Sequence, residues 1–117
     1  MSTGDAAAPA PAGAVGNHAA VFAALGDATR LSLLMRLSRG DAQSISALAA
    51  DTRLTRQAIT KHLQVLEEVG LVGGAKIGRE HRYGFRPEPL AHAMSCLRSV
   101  AAQWDDAIGR LQVFVGD

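Results

Sequence analysis

Apolar residues recur at three- and four-residue spacings along most of the chain, and residues 55–69 carry that pattern most clearly. Ala58, Ile59, Leu63, Val65, Leu66 and Val69 fall on one helical stripe, with His62 inside it. Gln57, Thr60, Lys61 and Gln64 project from the other side, flanked by Arg56. Thr55 is placed to cap the helix, and Leu54 and Ile59 have the spacing of a hydrophobic staple around it. Gly70 follows the last apolar residue, where a left-handed C-cap belongs. The polar face is basic early (Arg56, Lys61) and acidic late (Glu67, Glu68), which suits insertion of only the first two turns into a polyanion. An amphipathic core helix with a solvated face has the same stripe, so the flanking elements must decide.

Upstream, Val21, Phe22 and Leu25 lie on one side of a short helix predicted over residues 17–25 and ended by Gly26. Asp27 is placed to cap a second helix reaching Ser38, with Leu31, Leu33, Leu34 and Leu37 inward. Ser44 is placed to cap a third, short helix whose Ile45, Leu48 and Ala49 face the core. Residues 51–54 then connect tightly into the basic helix. Two helices, a turn of about four residues and a helix with cations in its opening turns predict a helix-turn-helix.

Beyond Gly70 the period changes to two. His81, Tyr83 and Phe85 alternate with Arg82, Gly84 and Arg86, and Gly78 suits a hairpin turn. The hairpin puts Arg79 near its tip with Lys76 and Arg82 close by, positioned for phosphate or the minor groove; the competing reading is ordinary solvating charge. Pro87 and Pro89 open the longest predicted helix. In it Leu90, Met94, Leu97, Ala101, Trp104, Ile108 and Leu111 keep a 4-3-4-3-4-3 spacing. That narrow seam predicts pairing with another long helix, its own copy in a homodimer, joined by Val21 and Phe22 of the first helix. Gly109 is expected to weaken the last turns. The fold expected is therefore mainly α with a small β-hairpin, a winged helix-turn-helix. It occupies residues 17–117 behind an Ala/Pro/Gly-rich stretch, residues 1–16, read as a disordered tail.

Composition adds little until it is resolved by position. The chain has 117 residues, 48% hydrophobic and 20% charged, with a net charge of +1. Yet residues 52–86 hold seven basic side chains against three glutamates, a local +4 that leaves −3 for the rest. One cysteine, Cys96, excludes an intramolecular disulfide, a dithiol switch and a multi-cysteine zinc site. There is no long apolar run to span a membrane and no signal-peptide pattern, so the cytoplasm is the expected location. No Gly-rich phosphate loop, paired carboxylates on one face or nucleophile–base pair suggests an enzyme.

Three separated motifs then resemble the ArsR/SmtB-type winged-helix repressors. They are residues 24–31 (ALGDATRL), residues 54–72 (LTRQAITKHLQVLEEVGLV) and residues 78–83 (GREHRY), in that order. The resemblance implies a homodimer joined through its first and last helices that binds an imperfect inverted repeat, often in its own promoter. Many members release DNA on binding a metal or metalloid, and here the chain departs from the pattern. No cysteine lies between Ser44 and Leu54. His92 and Asp106 stand near the positions of a last-helix site, but Leu90 and Gln103 occupy the other ligand positions. A member without metal or other cofactor is the reading, with an inducer unidentified.

The residues expected to meet double-stranded DNA are Ser44, Thr55, Arg56, Gln57, Thr60, Lys61 and Gln64, with Lys76, Arg79 and Arg82 from the wing. His62 is expected to be half-buried with a ring nitrogen bonded to backbone or phosphate. Arg30, in the first turn of its helix, opposes the dipole there and implies either a phosphate or a carboxylate partner. The rival functions are a winged-helix protein-interaction module and a metal-responsive sensor.

Overall fold

The computed structural model describes the backbone from Ala12 to Gly116 and side chains from Asn17 to Val115. The order is α1 (Ala12–Leu25), α2 (Ala28–Ser38), β1 (Gln43–Ser44), α3 (Ile45–Ala50), α4 (Arg56–Glu68), β2 (Val72–Ile77), β3 (Glu80–Phe85) and α5 (Glu88–Gly116). The mainly helical chain with its hairpin agrees with the expectation. The hairpin is larger than expected, because β1 adds to it as a third strand in the antiparallel order β1-β3-β2. Two residues between helices carry no readable period, which is why the sequence does not announce β1.

The first helix also differs. It begins at Ala12, so residues 12–16, assigned to the tail, are helical; the expectation of disorder for residues 1–11 falls outside the described residues. Residues 12–16 read Ala-Gly-Ala-Val-Gly, which has no apolar stripe and two glycines that weaken a helix, so the spacing does not announce this turn.

Caps fix where the helices start and stop. Asp27 accepts the Arg30 N–H at 3.0 Å, Ser44 the Ala47 N–H at 3.1 Å and Thr55 the Ala58 N–H at 3.0 Å. These bonds satisfy donors that a helix start leaves orphaned. Helix α4 ends in a Schellman turn: Leu71 N–H donates to the Leu66 carbonyl and Gly70 N–H to that of Glu67, with Gly70 at φ 79°. Gly78, at φ 65°, turns the hairpin between Ile77 and Glu80, which face each other across it.

The core is built from Leu33, Leu34 and Leu37 of α2, Leu48 of α3, and Ile59, Leu63 and Leu66 of α4. Leu71, Val72, Tyr83, Val21, Ala24 and Ala93 close it. Leu31 is a correction: expected inward, it is 42% exposed. Leu33, Leu34 and Leu37 already fill the inward sector of α2, and Leu31 sits on its outer side with Met35 one turn on, also exposed. Tyr83 is buried, and desolvation pushes its phenol above the ordinary value, with the charge of Glu67 adding to the effect.

Of the two partners expected for Arg30, the structure supplies the carboxylate, that of Asp27, although its hydrogen bonds go to backbone carbonyls. Its guanidinium donates to the carbonyls of Ala24 at 2.7 Å and Ala23 at 3.3 Å, with the Asp27 carboxylate at 4.0 Å. It therefore serves the C-terminal carbonyls of α1, where a cation is favoured, although it stands at the start of α2. Arg36 does comparable work between elements: it donates to the Gln43 side chain and the Ala47 carbonyl, and pairs with Asp51 at 2.8 Å. One side chain thus ties α2 to β1, α3 and the turn that leads into α4.

Candidate nucleic-acid interface

Helix α4 is held from behind. Ile59, Leu63 and Leu66 have no exposed surface, and Leu54, Val65 and Val69 pack at the margin of the same core. Burying three such side chains fixes the rotation of the helix about its own axis, which decides what faces outward. Arg56, Gln57, Lys61 and Gln64 are all exposed. Neither Arg56 nor Lys61 is in an ion pair among the described residues. Their charge is uncompensated and lies in the first two turns, where the helix's own N–H groups add a positive end.

The hydroxyls are less free. Thr55 and Ser44 accept capping bonds, which leaves each hydroxyl proton available to an outside acceptor. Thr60 is half-buried and donates its proton to the Arg56 carbonyl at 2.8 Å, so it offers a methyl group and lone pairs rather than a donor. His62 is half-buried as expected, but its ring has no hydrogen-bond partner among the described residues.

On the wing the three cations do not act alike. Arg79 is at the turn and exposed, and Lys76 is exposed on β2 opposite His81. Arg82 pairs across from Ala75 and Ser44, on the other sheet face from Lys76, because directly opposed residues share a face and neighbours alternate. Its guanidinium is also folded onto Glu80 Oε1, at 2.7 and 2.9 Å. An exposed pair of this kind contributes little and a phosphate could displace it. Even so, Arg82 is not the unencumbered cation the pattern implied. His81 stacks on Tyr83 with ring centroids 4.7 Å apart.

Two arginines given no role by the spacing belong to this surface. Arg53 is exposed in the turn just before α4. The Arg86 guanidinium lies across Gly73 in the space a side chain there would take, and the His81 ring occupies the equivalent space at Gly74. Arg86 follows the last residue of β3 and stands across from Leu71, so its reach to Gly73 is diagonal and no spacing in the sequence announces it.

The pairing seam divides in two. Val21 is buried in the chain's own core and Leu90 packs against it, so these two belong mainly to the domain itself. Phe22, Met94, Leu97, Ala101, Trp104, Ile108 and Leu111 remain exposed, Trp104 to 63%. Helix α5 runs unbroken through Gly109 to Gly116. Among the described residues no three His, Cys, Asp or Glu side chains stand where they could share a metal ion. Nor is any helix among them long and apolar enough to cross a membrane.

Residues 25–73 match the family described as a helix-turn-helix domain. The HTH-type transcriptional regulator YuzN of Bacillus subtilis is 40% identical over 85 residues, 68% of this chain and 92% of YuzN. A solved ArsR-like transcriptional regulator from Rhodococcus sp. RHA1 is 39% identical with a TM-score of 0.76, the match covering 88% of this chain and 96% of that one. The chain belongs to the ArsR family of helix-turn-helix transcriptional regulators. A second similar structure, Mb0332 from Mycobacterium bovis, is described as a homodimeric winged helix-turn-helix DNA-binding domain. It is 25% identical with a TM-score of 0.64, covering 86% of this chain and 94% of that one. Within this ArsR-family chain, the family match ends at residue 73, so the helix-turn-helix lies inside it and the wing beyond Gly73 outside.

Proposed function

We propose that this ArsR-family regulator is a homodimeric repressor that binds double-stranded DNA at an inverted repeat. The observation that carries the reading is the outward face of α4: two unpaired cations and the Gln57 amide on its first two turns, with Gln64 just beyond, fixed in rotation by three fully buried residues behind them. Arg56 and Gln57 are suited to bidentate bonds with guanine and adenine edges in the major groove. Lys61, Arg53 and the Thr55 hydroxyl serve flanking phosphates, and Arg79 with Lys76 holds the wing to the backbone or minor groove. A second copy packed on the exposed α5 seam presents two such helices, and paired half-sites about one helical turn apart follow.

The test is selection of bound sequences from a random duplex pool, followed by anisotropy titrations from about 50 to 200 mM salt. A selected inverted repeat whose affinity falls steeply with salt supports the proposal. No enriched sequence and nearly salt-independent binding would instead mark the α4 face as a docking surface for another protein. Repression is tested separately, with a reporter placed behind the selected site.

A further inference from the structure

The side chains at the tip of the wing differ in character. Ile77 is the last residue of β2, lies directly opposite Glu80 and is 55% exposed. The other large apolar side chains exposed among the described residues stand on α1, α2 and α5, so Ile77 is the one that belongs to the sheet. Its neighbours on that face, Ala75 and Glu80, are themselves exposed and leave it uncovered. Glu80 is the one carboxylate between Gly70 and Pro87, a stretch that holds four lysine or arginine side chains. An acid at the tip of a basic wing repels the phosphates the wing is proposed to meet. Arg82 answers it, since both of its side-chain bonds fall on Glu80 Oε1. A phosphate that drew Arg82 away would uncover the acid beside it, so the exchange gains little.

Dimensions decide how this tip meets a duplex. Two strands about 4.8 Å apart, with side chains on both faces, are too broad for a minor groove about 6 Å wide. Only side chains of the turn can enter. Arg79 and Lys76, in no ion pair among the described residues, suit the phosphates that border the groove. With Glu80 closed off, the side chain left to enter is Ile77. We infer that Ile77 packs on the deoxyribose wall of the minor groove flanking each half-site, and that Arg82 is a positioning residue acting through Glu80 rather than a phosphate contact. Burial of Ile77 against sugar C–H groups supplies attraction that salt does not screen. The guanine amino group projects into the minor groove and obstructs such an approach, so A·T pairs under the wing are favoured. This inference deepens the proposed function and rests on it.

The test uses the selected inverted repeat with A·T, G·C or I·C pairs in the flank, because inosine keeps the major-groove edge of guanine and lacks its minor-groove amine. In anisotropy titrations the wild type is expected to bind the A·T and I·C flanks alike and the G·C flank several-fold more weakly. Ile77→Thr keeps a β-branch suited to a strand. It is expected to bind the A·T flank several-fold more weakly than the wild type, to lose the distinction between flanks and to keep the wild-type salt slope. Should it unfold early in a thermal melt, Ile77→Ala serves instead. Arg82→Ala is expected to weaken binding several-fold, and Arg82→Ala combined with Glu80→Gln to restore it. Wild-type binding indifferent to the flank, or an Ile77→Thr protein that still tells the flanks apart, overturns the contact. A double variant as weak as Arg82→Ala makes Arg82 a phosphate contact and overturns its action through Glu80. A wild type that selects no inverted repeat fails the proposed function and this inference together, whereas a selected repeat with indifferent flanks fails this inference alone.

Discussion

Gln57 and Thr60 stand one turn apart on the same exposed helix, yet their chemistry differs once hydrogen bonds are assigned. Thr60 spends its proton on the Arg56 carbonyl, and Gln57 retains both faces of its amide. Sequence preference should therefore rest on Gln57 more than on Thr60. Gln57→Ala is expected to relax selection at one or two base pairs, a loss of about 1–3 kcal/mol of discrimination there, read by repeating the selection with the variant. The helix stripe and the caps at Asp27, Ser44 and Thr55 are legible from spacing alone because each is a local, short-range event. The partners of Arg30 are not, since they belong to the preceding helix and depend on how two helices meet. Asp27 supplies a second residue-scale outcome. Its bond from the Arg30 N–H holds its carboxyl below the usual range against a smaller opposing effect of burial, and the Arg30 charge adds a lesser lowering. A depressed acid stabilises the fold above its unfolded value, and that stabilisation disappears as pH falls through the lowered one. Thermal unfolding followed below about pH 4 should fall more steeply with acid in the wild type than in Asp27→Asn, which keeps a cap without the titration.

Among the elements, the turn after α4 and the wing it feeds make the clearest demands. Gly70 adopts a left-handed backbone that a Cβ opposes, and Gly70→Ala is expected to cost about 1–2 kcal/mol. Gly40→Ala, at a position without positive φ and with open space around it, should cost far less; urea unfolding of the two variants makes the comparison. The hairpin and its Gly78 turn were legible because period two and a turn glycine leave marks in the sequence. What was not legible is the allocation of its arginines. Arg82 turns onto Glu80, two residues back on the same face of β3, and Arg86 onto the bare backbone at Gly73. Arg79 alone stays at the tip without a partner among the described residues. Arg79→Ala should weaken binding to all duplexes alike and reduce the slope of log affinity against log salt by about one, measured by anisotropy over a salt series.

At the scale of the whole molecule, the chain is a domain with an uncovered arm. Its long axis reaches 64 Å because α5 continues past the body of the fold. The heptad spacing foretold that arm, but not its division, in which Leu90 and Ala93 serve the chain's own core and Trp104, Ile108 and Leu111 serve none of it. Trp104→Glu places a charge in the middle of that seam. It is expected to shift the chain to monomer in sedimentation experiments and to remove tight binding to the paired half-sites, while the core melts near its usual temperature.

The bare stretch of α5 also makes helicity a matter of mass action. About fifteen residues of isolated helix are marginal in water, so the last turns draw their order from whatever shields them. Circular dichroism of progressively diluted samples should lose signal from the arm before the globular part responds. A regulator present at few copies per cell would then spend part of its time with that arm frayed and its two reading heads uncoupled, which links how much of it is made to whether it can grip its target at all.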